Sequence, residues 1–143
     1  RPGAKGDISL DPDQGGSDFV AWCQRRAGPY NPSTIVYGDL LYVLLDRGLV
    51  AAYEADSGKL VFGPERLVDR GGAFTSSPWA YNGKIFFLDE NGATYVLEAG
   101  QNYKLMRINR LRNGEGICMA TPAMAGGNLL IRTDTRLYCI GEK

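Results

Sequence analysis

Two pairs of neighbouring carboxylates are the residues of this sequence whose types and spacing could do chemistry. Asp89 and Glu90 are adjacent, and Asp11 and Asp13 flank a proline. Paired carboxylates bind calcium and hydrolyse glycosides in other proteins. Neither pair lies in an EF-hand pattern, and acidic residues are common in β-turns. We therefore interpret both pairs as turn residues, with calcium or glycosidase chemistry as the alternative.

Histidine is absent from all 143 residues. Its absence excludes a Ser-His-Asp or Cys-His nucleophile, a histidine general base and a histidine-containing zinc site. The three cysteines, Cys23, Cys118 and Cys139, show no CxxC spacing. We expect neither a disulfide framework nor a metal cluster from them, and we interpret them as small buried apolar residues. One cysteine pairing stays open.

The charge of the chain is balanced, with 16 Lys+Arg and 16 Asp+Glu. A global basic field that would attract nucleic acid is therefore absent. The cluster of Arg107, Arg110 and Arg112 lacks the interleaved aromatic residues of a nucleic-acid site, and such charges protect an outer strand from sheet association. The longest apolar run, Leu40–Leu45, is far shorter than the ~18 residues of a membrane span. We predict no nucleic-acid partner and no membrane span.

An internal repeat organises these residues. Shifting the chain by about 44 residues places Tyr37 on Tyr81, and Gly38-Asp39 on Asn82-Gly83 and then on Gly126-Gly127. The third copy loses one residue near its end. Because turn residues and apolar residues keep one register through three copies, the repeat predicts three equivalent structural units.

Each copy has three turn signals that separate strand-like runs. The tight turns above come first, a polar loop follows, and Asp56-Ser57-Gly58 then marks the third turn. The predicted strands fall in three sets: Leu40–Leu45, Lys84–Leu88 and Asn128–Arg132; Leu49–Tyr53, Ala93–Leu97 and Arg136–Ile140; Lys59–Phe62 and Leu105–Leu111. No window shows a capped helical period, so we predict no helix.

A four-stranded antiparallel unit of this length has the size of a β-propeller blade. The fold class is therefore predicted to be all-β, with three four-stranded antiparallel blades of a partial β-propeller. The approximate repeats are residues 33–76, 77–120 and 121–143, with 18–25 supplying the missing fourth strand of the last. Residues 1–17 are predicted to be a loop or strand remnant of a preceding blade, and the start at Arg1 indicates a piece of a longer protein.

Several motifs resemble a known family. Gly58–Phe62 resembles the "GKxxW" repeat ending of the pyrroloquinoline-quinone-like (PQQ-like) β-propeller family, and Ser77–Phe86 resembles its "SPxxxxGxxY" opening. Leu137–Ile140 is similar to the family's "LYAL" strand. Gly6–Leu10 is similar to a segment of bacterial members with a C-terminal propeller, so this chain resembles the C-terminal portion. The resemblance covers roughly residues 18–143.

The resemblance implies one of two activities. Some members are quinoprotein dehydrogenases, which hold the quinone with calcium, an aspartate base and often adjacent cysteines. Others, such as outer-membrane assembly lipoproteins, bind proteins without a cofactor. This chain has no adjacent cysteine pair, and of the repeat-terminal tryptophans only Trp22 is present, with Phe62 and Met106 at the equivalent places. We expect no cofactor, with PQQ and calcium as the alternative, and a periplasmic or secreted location.

The candidate binding residues lie on the loops that meet at one face of the predicted blades. Loops on such a scaffold commonly carry ligand contacts, and arginine and tyrosine are favoured interface anchors. The candidates are Arg26, Tyr30, Arg47, Arg70, Phe74, Asp89, Glu90 and Asp134. We predict a non-catalytic scaffold that binds a protein or peptide, with part of a quinoprotein dehydrogenase or a carbohydrate-binding or hydrolytic domain as alternatives. Three blades are fewer than a usual ring, so two copies could also associate to close one.

Overall fold

The computed structural model describes residues 2–45, 47–68, 72–111 and 116–141, and these ranges form three antiparallel β-sheets without a helix. The first sheet contains β1 (Ile35–Tyr37), β2 (Leu40–Leu45), β3 (Leu49–Glu54) and β4 (Leu60–Arg66). The second sheet contains β5 (Trp79–Tyr81), β6 (Lys84–Leu88), β7 (Ala93–Glu98) and β8 (Leu105–Arg110). The third sheet contains β9 (Ala123–Ala125), β10 (Asn128–Arg132) and β11 (Leu137–Ile140). The strands of each sheet lie in chain order, which confirms the predicted all-β class.

The tight turns form where the repeat predicted them. Asn82 and Gly83 have φ angles of 47° and 70°, and Gly126 and Gly127 have φ angles of 56° and 79°. Two consecutive residues with positive φ match the right-handed twist of the flanking strands, and asparagine and glycine adopt this conformation at the lowest cost. In the first sheet Gly38 alone has a positive φ, 62°, as a type II′ turn requires. The turn residues therefore set the register of the hairpin formed by the first two strands of each sheet.

The sheets are joined by two clusters of buried side chains. One cluster lies between the first and second sheets, where Tyr42, Leu44 and Phe87 are fully buried. The other lies between the second and third sheets and includes Trp79 and Ile131. Each sheet therefore buries its apolar face against the next one along the chain, which is the packing that a propeller requires.

Equivalent residues of successive sheets also form direct hydrogen bonds. The amide of Ser33 donates to the hydroxyl of Ser77 at 2.9 Å, and the amide of Ser77 donates to the hydroxyl of Thr121 at 2.9 Å. Each step spans 44 residues. The repeat is therefore a repeat of contacts as well as of sequence.

Residues 18–25 do not form the expected fourth strand of the third sheet. That sheet has three strands within the described residues, and 18–25 carry no strand assignment. The indole N–H of Trp22 donates to the carbonyl of Ala55 at 2.8 Å, and the amide of Gln24 donates to the carbonyl of Gly58 at 2.8 Å. These contacts hold the segment against the β3–β4 turn of the first sheet.

The cysteines differ in burial, which the sequence did not indicate. Cys118 is buried between the second and third sheets, as expected, whereas Cys23 and Cys139 are exposed. The expectation of burial is therefore wrong for these two cysteines, because one lies on the segment before the first sheet and the other on the edge strand β11. All three thiols are free.

No helix long and apolar enough to cross a membrane occurs in the described ranges.

Candidate binding face

Backbone hydrogen bonds join several of the loops that were predicted to share one face. The amide of Glu90 donates to the carbonyl of Ala73 at 3.0 Å, and the amide of Cys118 donates to the carbonyl of Glu90 at 2.9 Å. The amide of Asp134 donates to the carbonyl of Ile117 at 3.1 Å, one repeat further on. The first and third bonds tie a loop that connects two sheets to the β6–β7 or β10–β11 loop of the following sheet, and the second bond ties the loop before the third sheet to the β6–β7 loop of the second sheet.

Asp89 organises the loop between β6 and β7. Its Oδ1 atom accepts hydrogen bonds from the amides of Asn91 at 3.0 Å and Ala93 at 2.8 Å, and its Oδ2 atom accepts one from the hydroxyl of Tyr95 at 3.2 Å. The side chain is only 5% exposed. A carboxylate that is buried and satisfied in this way is not available to a partner, so we remove Asp89 from the candidate surface.

Thr133 organises the loop between β10 and β11 of the third sheet in the same way. Its hydroxyl accepts hydrogen bonds from the amides of Thr135 at 3.2 Å and Arg136 at 2.9 Å. Thr133 stands at the repeat position of Asp89, 44 residues later, and is also buried. The shared requirement at this position is an acceptor oxygen for the amides of the loop, rather than a negative charge.

Glu90 and Asp134 are repeat equivalents that hold the connecting loops. The Thr75 hydroxyl donates to Oε1 of Glu90 at 2.6 Å, and the amide of Ile117 donates to Oδ1 of Asp134 at 2.8 Å. Gly116 has a φ of 97°, and a Cβ atom there would collide with the Asp134 carboxylate. The hydrogen bonds of these two carboxylates therefore fix the conformation of the loops that form the face.

Phe74 belongs to the core. It is 2% exposed, and its ring lies 5.7 Å from that of Tyr95. Gly48 lies so close that a Cβ atom there would be 2.7 Å from the Phe74 ring. The connecting loop therefore inserts this aromatic ring between the first two sheets, and Phe74 cannot act as a surface contact.

Four of the predicted binding residues are exposed, and one of them is Asp134, whose carboxylate accepts a hydrogen bond from the Ile117 amide. Tyr30 is 88% exposed, and Arg26 and Arg47 are also at the surface. Arg26 has a φ of 57°, so the chain turns there as it leaves the 18–25 segment. Arg70 lies outside the described residues. We define the candidate binding face by Arg26, Tyr30 and Arg47.

Burial also raises the pKa of two side chains that lie beneath these loops, Tyr95 and Cys118. Desolvation raises the pKa of Tyr95 to about 12, and the neighbouring Asp89 carboxylate adds to the effect. Desolvation likewise raises the pKa of the Cys118 thiol, with further contributions from Asp89 and Asp134. A thiol held in its protonated form is a poor nucleophile at neutral pH, so Cys118 acts as a packing residue.

The raised pKa of Tyr95 predicts a loss of stability in alkali. The unfolded chain releases the Tyr95 proton near the usual value of 10, whereas the folded protein keeps it until about 12. The contribution is therefore complete below pH 10 and is lost between pH 10 and 12, by about 2 to 3 kcal/mol in total. Urea unfolding across this range should show a shallower fall for Tyr95→Phe than for the native chain. Equal slopes would contradict the assignment.

A crevice of about 400 Å³ between the second and third sheets was not predicted from the sequence. Trp79, Tyr81 and Phe86 line it on one side, with the rings of Trp79 and Phe86 stacked at 5.2 Å. Between the first and second sheets, the rings of Phe62 in β4 and Tyr103 in the β7–β8 turn are in contact across the two sheets. The described part of the third sheet has neither a fourth strand nor the turn that leads to it. Within the described residues, no contact like that of Phe62 with Tyr103 therefore spans the second and third sheets.

The described residues do not fit a calcium and quinone site. Calcium takes six to eight oxygen ligands, but Asp89, Glu90 and Asp134 already accept hydrogen bonds within the loops. The part of the chain that the structure describes contains no group of three or more His, Cys, Asp or Glu residues that could hold a metal ion. We therefore derive no chemistry through such a site.

The stacked sheets, their register and their shared loop face define a segment of a β-propeller fold. No protein-family model matches the chain, and no curated protein matches it in sequence. Solved structures do match. BamB from Moraxella catarrhalis is similar with a TM-score of 0.65 and 15% identity, over 85% of this chain and 36% of that protein.

Two further structures share the fold. Quinohemoprotein alcohol dehydrogenase ADHIIG from Pseudomonas putida HK5 has a TM-score of 0.56 and 17% identity, over 71% of this chain and 20% of that protein. Quinohemoprotein alcohol dehydrogenase from Comamonas testosteroni has a TM-score of 0.50 and 18% identity, over 73% of this chain and 17% of that protein. This chain thus spans between 17% and 36% of the length of these three proteins, and at such identities the similarity concerns the fold alone.

Proposed function

We propose that this chain is a non-catalytic β-propeller scaffold segment that binds a protein or peptide through its loop face. The observation that carries the proposal is the combination of exposed Arg26, Tyr30 and Arg47 with loops that internal hydrogen bonds hold in place. Tyrosine and arginine are the side chains most often found as binding anchors. A loop that is already ordered loses less entropy when a partner binds.

The carboxylates of the same face support binding rather than catalysis. A general base must reach the proton that it removes. Asp89 is buried beneath its own loop, and Glu90 is bonded to Thr75. Beside the exposed carboxylate of Asp134, the loop face therefore offers cationic and aromatic side chains at its surface, which suit a partner that carries acidic and aromatic groups.

A quinone-dependent dehydrogenase remains the alternative, because two of the similar structures are quinohemoprotein alcohol dehydrogenases. In that case the cofactor and the catalytic residues would lie outside this chain. The family resemblance and the bacterial source of the similar structures support a periplasmic or secreted location in a bacterium.

Selection of binding peptides from a displayed library would test the proposed face. We expect Tyr30→Ala and Arg47→Ala each to raise the Kd of the selected peptides about tenfold, since each removes an exposed anchor. Tyr81→Ala and Arg107→Ala are matched controls, because both side chains are exposed and lie away from the loop face. Binding should be measured by fluorescence anisotropy.

Two outcomes would contradict the proposal. One is a set of peptides that lose affinity with the control variants but keep it with Tyr30→Ala and Arg47→Ala. The other is stoichiometric binding of pyrroloquinoline quinone in the presence of calcium, followed by absorbance, which would favour the dehydrogenase alternative.

A further inference from the structure

The turn between β5 and β6 consists of an asparagine followed by a glycine. Asn82 and Gly83 are both exposed, and they lie at the end of β6 that is opposite the loop face. Their contacts join the first and second sheets, which each have four strands. We propose that Asn82 is a site of spontaneous deamidation and that Tyr37 of the first sheet controls the rate of this reaction.

Deamidation of this dipeptide needs only water and hydroxide. The Gly83 amide nitrogen loses its proton to hydroxide and attacks Cγ of Asn82, a C–N bond forms, and the side-chain nitrogen of Asn82 leaves as ammonia. Water then opens the resulting five-membered imide at one of its two carbonyl groups, which gives aspartate or isoaspartate. Glycine favours the attack because it has no Cβ atom that would hinder the approach to its nitrogen.

The surroundings of Gly83 leave its amide accessible to water. A Cβ atom at Gly83 would meet no other atom within 4 Å. The pair Asn91-Gly92 is enclosed, since a Cβ atom at this second glycine would lie 3.6 Å from Leu111. The amide of this glycine also donates to the carbonyl of Asp89 at 3.1 Å within the loop. Of these two asparagines, Asn82 should therefore react first.

Tyr37 holds the nitrogen that must attack. The amide of Gly83 donates to the hydroxyl of Tyr37 at 2.9 Å, across the junction between the first and second sheets. While this bond is present, the proton stays on the nitrogen and the peptide plane is fixed, so the nitrogen does not turn towards Cγ of Asn82. The reaction therefore proceeds from the fraction of molecules in which this bond is open.

The reaction would change both the turn and its contacts. Isoaspartate adds a methylene group to the main chain of a two-residue turn whose φ angles, 47° and 70°, match the twist of the flanking strands. The carbonyl of Gly83 accepts a hydrogen bond from the amide of Ala99 at 2.9 Å, and this bond and the bond to Tyr37 both depend on the turn. The product also carries a new carboxylate, so the formal net charge falls from zero to minus one.

Incubation at mildly alkaline pH, followed by tryptic digestion and mass spectrometry, tests the proposal. Trypsin separates the Asn-Gly pairs into residues 71–84, 85–104 and 113–132, and the third pair lies outside the described residues. We expect deamidation in residues 71–84, with isoaspartate that isoaspartyl methyltransferase labels, and none at Asn91 over the same time. A sample without incubation corrects for deamidation during digestion. An unchanged 71–84 peptide, or a faster reaction at Asn91, would overturn the proposal.

Two phenylalanine variants separate the role of Tyr37 from a general loosening of the junction. Tyr37→Phe removes the hydroxyl that holds the Gly83 amide. We expect deamidation of Asn82 to become about fivefold faster, the factor by which the loss of one ordinary hydrogen bond shifts an opening equilibrium. Tyr42→Phe is the matched control, because the Tyr42 hydroxyl accepts a hydrogen bond from the amide of Gly100 at 2.9 Å across the same junction.

The control variant should deamidate at the rate of the unmodified chain, since it leaves the bond between Gly83 and Tyr37 in place. Equal acceleration in the two variants would show that the reaction follows the loosening of the sheets, and an unchanged or slower rate in Tyr37→Phe would show that the hydroxyl does not protect the amide. Either result would overturn the control of the rate by Tyr37.

Discussion

Replacing Phe74 with alanine should lower the free energy of unfolding by about 3 to 5 kcal/mol, as expected for removal of a buried phenylalanine. The ring lies between Gly48, Gly72 and Tyr95 and is almost completely buried. Its removal would leave a cavity between the first and second sheets. Because the whole stability of a domain is about 5 to 15 kcal/mol, most of it should be lost. Urea unfolding followed by tryptophan fluorescence measures the change.

Tyr30→Ala is the control for this prediction. It removes an aromatic ring from a loop of the same face, but one that is almost fully exposed, so the change in unfolding free energy should stay within about 0.5 kcal/mol. If Phe74→Ala were as mild as Tyr30→Ala, the ring would lie at the surface, and the sequence-based interpretation of Phe74 as a binding residue would be restored.

Replacing Asp89 with alanine should destabilise the protein by about 2 to 4 kcal/mol. The change leaves the amides of Asn91 and Ala93 and the hydroxyl of Tyr95 without their acceptor. A buried donor without a partner costs about 1 to 3 kcal/mol. Thermal unfolding at neutral pH, with urea titration for the free energy, measures the loss.

Asp89→Thr is the matched variant, because threonine stands at the equivalent position of the third sheet. Thr133 satisfies the amides of Thr135 and Arg136 with one hydroxyl. We expect Asp89→Thr to recover most of the stability that Asp89→Ala loses, with about 1 kcal/mol still missing for the Tyr95 hydrogen bond. Equal losses for the two variants would show that the charge of Asp89, rather than an acceptor oxygen, is required.

The sequence predicted these strands well because the same order of turn residues and apolar runs occurs in all three copies of the repeat. The bounds of β2, β6 and β10 match the predicted apolar runs, and β3 and β7 differ from theirs by one residue. Turn residues with positive φ and apolar runs between them are local signals. Three copies of a local signal leave few alternative registers.

The candidate site was predicted less well because exposure depends on contacts between distant residues. Phe74 and Asp89 fall on loops in the sequence, and loops are usually exposed. The burial of Phe74 follows from the space above Gly48, and the burial of Asp89 from the bond to Tyr95. The comparison of Asp89 with Thr133 was the available signal, since a carboxylate and a hydroxyl at one position in the second and third copies indicate a structural acceptor, whereas the first copy has Leu45 there.

The bonds from Ser33 to Ser77 and from Ser77 to Thr121 join one position to the same position of the next sheet. A tandem duplication of one sheet would therefore reproduce its own junction, with no new interface to evolve. Growth and shortening of such a protein during evolution then change the number of units without changing the chemistry between them.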